Sequence, residues 1–526
     1  MTTINLATIL NDSSFPEITK ILNTYLIKEK NLLLIECKCD DYWPGRGFLS
    51  NFHSLILYNL SNFQFIDFID NLKFDIIDIA CHPSNKMLAI ALGENIDDVA
   101  FYGNLLVWDY KSKETIPLLI NSIYVMSCSF NQDGSILNIK VNATDEIENF
   151  NYDIKDYNLE FNIKKKYNTD NLEPLKSYYQ NSFEKNNIET NLENLKLNSF
   201  YEFANKLSLN FNQRYSILDI LFINEYTIVN SINHSIIEIW NLKESSVKKI
   251  NMPKYGKCGE LFHNRTTNSI LVNQWIQKDP LGNTNLLSLI DLDSFEITEL
   301  FECNHTISKN DSDHFLLRKS NHSRLEVKDF IFSPNLNKLH ECDLGYYDQF
   351  NYYLRVDNSE LFYFLRSYSS KPWLNKVLFS LNPLSLAIEK IIDIDNYQYH
   401  YKNLLGLETN NLLIISGVRS KINDYSMKTK EDRLFCIDIP QKIIKWDILL
   451  KDRVSTLSSI ENGKIIILAY FNGNLELFEA NSGIKIETIS RSNFSAKSPL
   501  SIATFGNTIA LGLKNAEIEI YKVNSN

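Results

Sequence analysis

The sequence predicts an all-β chain folded as a β-propeller, with about seven to ten blades of mostly four antiparallel strands. Three observations predict it. A short aliphatic phrase ending in an aromatic residue or Asp/Asn returns at 55–59, 105–109, 236–241, 286–291, 377–380, 434–438, 475–479 and 518–521. Its spacing, roughly 40 to 55 residues, is that of propeller blades. Polar turn residues separate each return from further strand-like runs, and a strand-like run at 4–10 precedes the first of them.

Taken in order, 4–10 lacks a sheet of its own, while the last recurrence at 518–521 completes only three strands. The first run therefore fits the empty edge of the last blade, closing the body without a covalent link and covering an open edge. The second set is the clearest: 76–81 is an inner strand, 87–92 returns, 105–109 crosses again and 115–119 forms the outer edge. The same order fits 125–161, where Asn131, Gln132, Asp133 and Gly134 supply the first turn, and 454–489, where Asn472 and Gly473 give a hairpin signal between two apolar runs. With weaker sets near 149–153 and 325–330, about ten strand sets result, which leaves one wide ring, two rings or decorated blades open. The reading adopted is one continuous propeller over 1–526.

One stretch departs from the pattern. Leu172, Leu175, Tyr178, Tyr179 and Phe183, then Leu192, Leu195, Phe200, Phe203 and Leu207, recur at helical spacing, and Thr190 with Glu193 resembles a capping box. Residues 164–213 are read as a helical insertion between blades.

Trp108 and Asp109 close the run Leu105, Leu106, Val107, and Trp240 with Asn241 is a near variant. The stretches Ala80, Cys81, His82, Pro83 and Ser129, Phe130, Asn131, Gln132, Asp133, Gly134 stand where a first turn belongs. In these features the chain resembles the WD-repeat-like propellers. The family's Gly-His pair is absent from every blade, and most third strands lack the Trp-Asp. Trp446 and Asp447 repeat the dipeptide, but in an outer strand. The resemblance implies that the loops joining second to third strands share one face with those joining blades, and that this face binds partner proteins.

Composition excludes several other roles. A net charge of -11, mixed along the chain, offers no basic face for nucleic acid. No apolar run approaches the roughly 20 residues of a membrane span, and the first residues lack a signal peptide's basic and apolar regions, so the expected address is the cytoplasm. The eight cysteines fall mostly inside strands without a disulfide or zinc spacing. Cys37 and Cys39 alternate onto one strand face with no second pair. Acid pairs such as Asp97–Asp98 and Asp291–Asp293 read as solvated surface, and no phosphate loop or nucleophile elbow is present. No metal, cofactor or catalytic group is expected.

The second-to-third connections at 39–52, 93–104, 274–284, 366–375 and 418–432 read as long loops. They carry Tyr42, Trp43 and Arg46; Phe101 and Tyr102; Trp275 and Lys278; Tyr368 and Trp373; and Arg419. Aromatic residues and Arg dominate protein-protein hot spots because they bury much area at small entropic cost. The expectation is a non-enzymatic protein-binding platform. The alternative is a propeller enzyme or lectin-like module taking a small polar or carbohydrate ligand in the central channel.

Overall fold

The computed structural model describes the chain except residues 1, 14, 16, 19, 28–29, 44–46, 85, 97–99, 144–152, 176–192, 196–203, 205–215, 233–234, 255, 279–281, 304, 320–327, 345–355, 357–358, 368–375, 395–404, 420–430, 492–496 and 526. The described residues form ten antiparallel sheets of three to five strands. They divide into two compact units, one of Met1–Asp12, Tyr42–Phe48 and Arg214–Asn526, the other of Ser13–Asp41 and Leu49–Gln213. No helix among them is long and apolar enough to cross a membrane.

The first unit opens with β1 (Thr2–Leu10). The second unit follows. Its first sheet holds β2 (Lys20–Ile27), β3 (Leu32–Trp43), β4 (Gly47–Asn59) and β5 (Phe65–Leu72). Its second sheet holds β6 (Asp75–Cys81), β7 (Met87–Ile96), β8 (Ala100–Asp109) and β9 (Glu114–Pro117). The third holds β10 (Tyr124–Phe130), β11 (Ile136–Asn142) and β12 (Ile154–Glu160). Leu34, Leu55 and Leu57 pack on Leu88, Ile90 and Trp108 between the first two sheets. Ala89, Ala91 and Val107 pack on Val125, Leu137 and Ile139 between the second and third.

The helical insertion expected over 164–213 is not supported. Leu172 and Leu175 lie in extended chain after a single 3-10 turn, Thr169–Asn171, capped by the Asn168 side chain. Glu193 belongs not to a helix but to β13 (Glu193–Leu195), antiparallel to β2 at the inner edge of the first sheet. Among the described residues only Ala204 is helical, and Tyr178, Tyr179, Phe183, Leu192, Phe200, Phe203 and Leu207 lie outside them.

The remaining strands build the rest of the first unit. They are β14–β17 (Ile217–Asn224, Thr227–Ile232, Ile236–Asn241, Ser246–Asn251), β18–β21 (Gly256–Asn264, Ser269–Lys278, Gly282–Asp291, Ile297–Cys303) and β22–β25 (His305–Lys309, Phe315–Lys319, Asp329–Phe332, Lys338–Cys342). A three-stranded sheet, β26–β28 (Phe362–Ser367, Lys376–Leu381, Ile388–Asp393), is followed by β29–β32 (Leu405–Thr409, Leu412–Arg419, Glu431–Asp438, Ile443–Leu449) and β33–β36 (Val454–Ile460, Ile465–Tyr470, Leu475–Glu479, Lys485–Ile489). The last sheet, β37–β39 (Pro499–Phe505, Thr508–Leu513, Ile518–Ser525), takes β1 as its outer strand, with Ile4 opposite Val523 and Leu10 opposite Ile518.

Seven apolar clusters join these seven sheets in sequence, the last pairing Ala510, Ile518 and Leu10 with Ile217, Ile228 and Trp240 of the first sheet. The unit is a closed seven-sheet β-propeller. Its central strands are buried on both faces, which is why they read as continuous aliphatic runs. In β30, Leu413 and Ile415 face the preceding sheet while Leu412 and Ile414 face the following one.

Several third strands end in Asp or Asn for a local reason. Asp109 accepts from the amides of Lys111 and Ser112, Asn241 from Lys243 and Glu244, and Asp291 from Asp293 and Ser294. Each is an Asx turn into the outer strand. Trp108 Nε1 donates to the buried Asp67 carboxylate on β5 at 2.9 Å.

Candidate functional site

The stretches read as long loops at 93–104 and 274–284 are in large part paired strand, 39–52 is strand at 39–43 and 47–52, and of 418–432 only 418–419 and 431–432 are described, as strand. β7 runs to Ile96, opposite Ala100 on β8; β19 runs to Lys278, opposite Gly282; β30 runs to Arg419, opposite Glu431. Tyr42 and Trp43 end β3, Lys278 ends β19 and Arg419 ends β30, with their side chains outside the described residues. Arg46, Tyr368 and Trp373 lie wholly outside them.

Phe101, Tyr102 and Trp275 are described. Trp275 is half-buried in β19 of the ring. Phe101 and Tyr102 share the β7–β8 hairpin of the three-sheet unit, where Phe101 is half-buried and Tyr102 is 45% exposed.

That hairpin is held at its base by two glycines facing each other, Gly93 and Gly103. A Cβ on Gly93 would stand 2.6 Å from the Tyr124 ring, so only glycine lets Tyr124 lie across the strand. Tyr124 in turn meets Phe101 edge to face, ring centres 5.7 Å apart. Backbone hydrogen bonding from the Ile123 amide to the Gly103 carbonyl, 3.2 Å, ties the third sheet to the same point. Phe101 is an anchor and Tyr102 is what the hairpin presents.

Beneath it lies a polar relay. Asp75, opposite Gly93, places its Oδ1 2.8 Å from His53 Nε2; His53 Nδ1 lies 3.0 Å from Glu36 Oε1. Glu36 Oε2 accepts from Asn23 at 2.7 Å and from the Tyr25 hydroxyl at 3.2 Å. His53 and Glu36 are buried, whereas the Asp75 side chain is 63% exposed. Burial, then the Glu36 charge, pushes the Tyr25 phenol far up, and burial, then Asp75, raises Tyr124. Sequence reasoning missed the relay. Its signal was a Glu and a His interrupting the apolar runs of β3 and β4.

In the ring, the turns joining first to second strands form a different surface. A cleft of about 370 Å³ is lined by Glu408, Thr409, Asn410, Ser459, Glu461 and Gly463 among others. Across it Ser458 and Thr504 hydroxyls are 2.9 Å apart. Burial, then Glu408, raises the Tyr363 phenol beside it. The lining offers carboxylates, hydroxyls and amides to a small polar molecule. Among the described residues no group of His, Cys, Asp and Glu is placed to hold a metal ion.

No protein-family model matches the chain, and no curated protein matches it. Among solved structures it is similar to virginiamycin B lyase from Staphylococcus aureus at 13% identity and TM-score 0.45, covering 59% of this chain and 96% of that one. It is also similar to the C-terminal WD40 domain of Sif2 at 11% identity and TM-score 0.39, covering 59% of this chain and 97% of that one.

Proposed function

We propose that the chain is a non-enzymatic binding platform of the cytoplasm that captures partner proteins on its extended second-to-third hairpins. The observation carrying this reading is Tyr102, a large aromatic held out on a hairpin whose base is locked by Gly93, Tyr124 and Phe101. An exposed aromatic on a rigid support binds at small entropic cost, which is the chemistry of a hot spot. The test compares proteins captured from native lysate by the full chain and by Tyr102→Ala. Specific captures should fall at least about tenfold, a hot-spot loss, while the circular dichroism spectrum and melting temperature stay unchanged. An identical set of captures at equal yield overturns the reading.

The second reading places a small polar ligand in the ring. It is favoured by the cleft of about 370 Å³ with Glu408, Glu461 and three hydroxyl residues on its wall. Calorimetric titration with neutral sugars and with amines separates it from the first.

A further inference from the structure

The strand that closes the ring differs from the other described outer strands in its charge. β1 lies at the end of its sheet, in the order β1-β39-β38-β37, and no further strand pairs with it among the described residues. Its residues Asn5–Ile9 are exposed, Leu6 at 49% and Ile9 at 44%. From Thr2 to Leu10 it reads TTINLATIL, without a charged residue or a proline. The other described outer strands carry at least one charge: Asp67 and Asp70 on β5, Glu114 on β9, Asp156 on β12, Lys248 and Lys249 on β17, Glu299 on β21, Lys338 on β25, Lys390 on β28, Lys445 on β32 and Lys485 on β36.

A sheet edge offers a row of backbone donors and acceptors, and charge on the edge is the usual means of keeping a second edge away. Self-association is where that protection acts most directly. A second copy laid antiparallel on β17 would set Lys248 against Lys249 of the other copy, and like charges facing across a strand pair are destabilising. On β1 no such penalty arises. A bulge at Ala7 leaves Thr2–Leu6 as the straight run, each residue in register with β39. Two copies paired antiparallel about Ile4 set Thr2 against Leu6, Thr3 against Asn5 and Ile4 against itself, uncharged throughout.

We propose that β1 is a self-association edge, through which two copies of this chain join their last ring sheets into one continuous sheet about a two-fold axis. The isologous contact closes at two copies, because the described residues of each chain hold one such outer edge. It stands independently of the hairpin reading above.

The test is sedimentation velocity on the full chain over a range of micromolar concentrations. Wild type should pass from monomer to dimer. Leu6→Lys and Asn5→Lys, both at exposed positions, should move the midpoint to at least about tenfold higher concentration, with an unchanged melting temperature. Leu6→Thr, which keeps an uncharged strand residue, should still dimerise. The proposal is overturned by a wild type that stays monomeric, by one that grows beyond two copies, or by a dimer that survives both lysines. It is equally overturned if Leu6→Thr abolishes the dimer, because side-chain burial rather than edge pairing would then hold it.

Discussion

The closed ring and the three-sheet stack are built from the same repeating sheet, yet among the described residues one has seven interfaces for seven sheets and the other two for three. The difference lies not in the period but in closure. Ala510 and Ile518 of the last ring sheet pack on Ile217 and Trp240 of the first, and β1, by pairing with β39, completes that last sheet and adds Leu10 to the contact. Counting recurrences returns ten sheets and is blind to which of them close on one another.

The two regions also share a device. Asp78 on β6 and Asp219 on β14 each follow a register shift in a first strand. Each accepts from its own next amide, Ile79 or Ile220, and from an amide on the next first strand, Cys128 at 2.9 Å or Leu261 at 2.8 Å. A bulge thus turns a carboxylate sideways to clamp adjacent sheets. The stack carries in addition the Glu36–His53–Asp75 relay.

The largest effect should come from breaking that relay. His53→Leu strips a hydrogen-bond partner from the buried Glu36 carboxylate and leaves it the donors Asn23 and Tyr25, a loss above the about 1–3 kcal/mol of a neutral buried acceptor. Urea denaturation with hydrogen exchange should place the loss in 20–43 and 47–96, with the ring's protection unchanged. Glu36→Gln added to His53→Leu should recover part of it. A loss spread evenly over both units would mean that they unfold as one, and the contrast between them would fail.

Next in size is the shared clamp. Asp219→Ala and Asp78→Ala each strip an acceptor, buried at Asp219 and half-buried at Asp78, from amides that it satisfies, about 1–3 kcal/mol apiece. In the ring the loss should spread to all sheets, since opening one interface breaks closure; in the stack it should stay between the second and third. Hydrogen exchange of β18 and β37 in Asp219→Ala decides this. If β37 remains protected while β18 opens, closure confers no cooperativity.

Much of this architecture was legible. Burial on both faces makes Ile465–Tyr470 one apolar run, and the need to cap a tight turn puts Asp or Asn at the end of third strands such as those closing in Asp109, Asn241 and Asp291, so the phrase recurs for physical reasons. The residue that ends such turns has positive φ at Lys113, Ser245, Phe295, Leu386 and Lys442, types that no turn rule selects, and those turns were not legible. Leu172 and Leu175 fit a helical spacing by chance, because extended chain pinned by Asn121 and Thr169 needs no periodicity. At the candidate site, Phe101 and Tyr102 were visible as loop aromatics; that Phe101 is an anchor depends on Gly93 and Tyr124, joined only by the fold.

Two glycines give a smaller, sharper contrast. Gly463 in the ring (φ +82°) and Gly134 in the stack (φ +77°) both sit in first turns, their missing Cβ positions occupied by Thr409 and by the His82 ring. Alanine at either incurs a left-handed backbone and a steric clash, together about 1–3 kcal/mol. Gly134→Ala should also displace His82 from its 3.1 Å contact with the Gly134 carbonyl, visible as a shifted imidazole resonance. An unshifted resonance would mean that the turn, not the ring, gives way.

The smallest effect is set by pH. Burial lowers the pKa of His263, His305 and His314 in the ring and of His82 in the stack. His305 shows why: its Nε2 donates to the Lys328 carbonyl at 3.0 Å, leaving Nδ1 as a buried acceptor that a second proton would charge. A lowered folded value means that the unfolded chain takes up protons first. Stability is then intact above the ordinary histidine range near ~6.5 and falls as pH drops through it toward the folded values. With three such imidazoles against one, the ring's exchange protection should weaken before the stack's between about pH 7 and 5.5. His305→Gln keeps a donor for Lys328 and removes the titration, so it should flatten the ring's slope. Equal slopes in wild type and variant would show that burial at His305 carries no proton linkage.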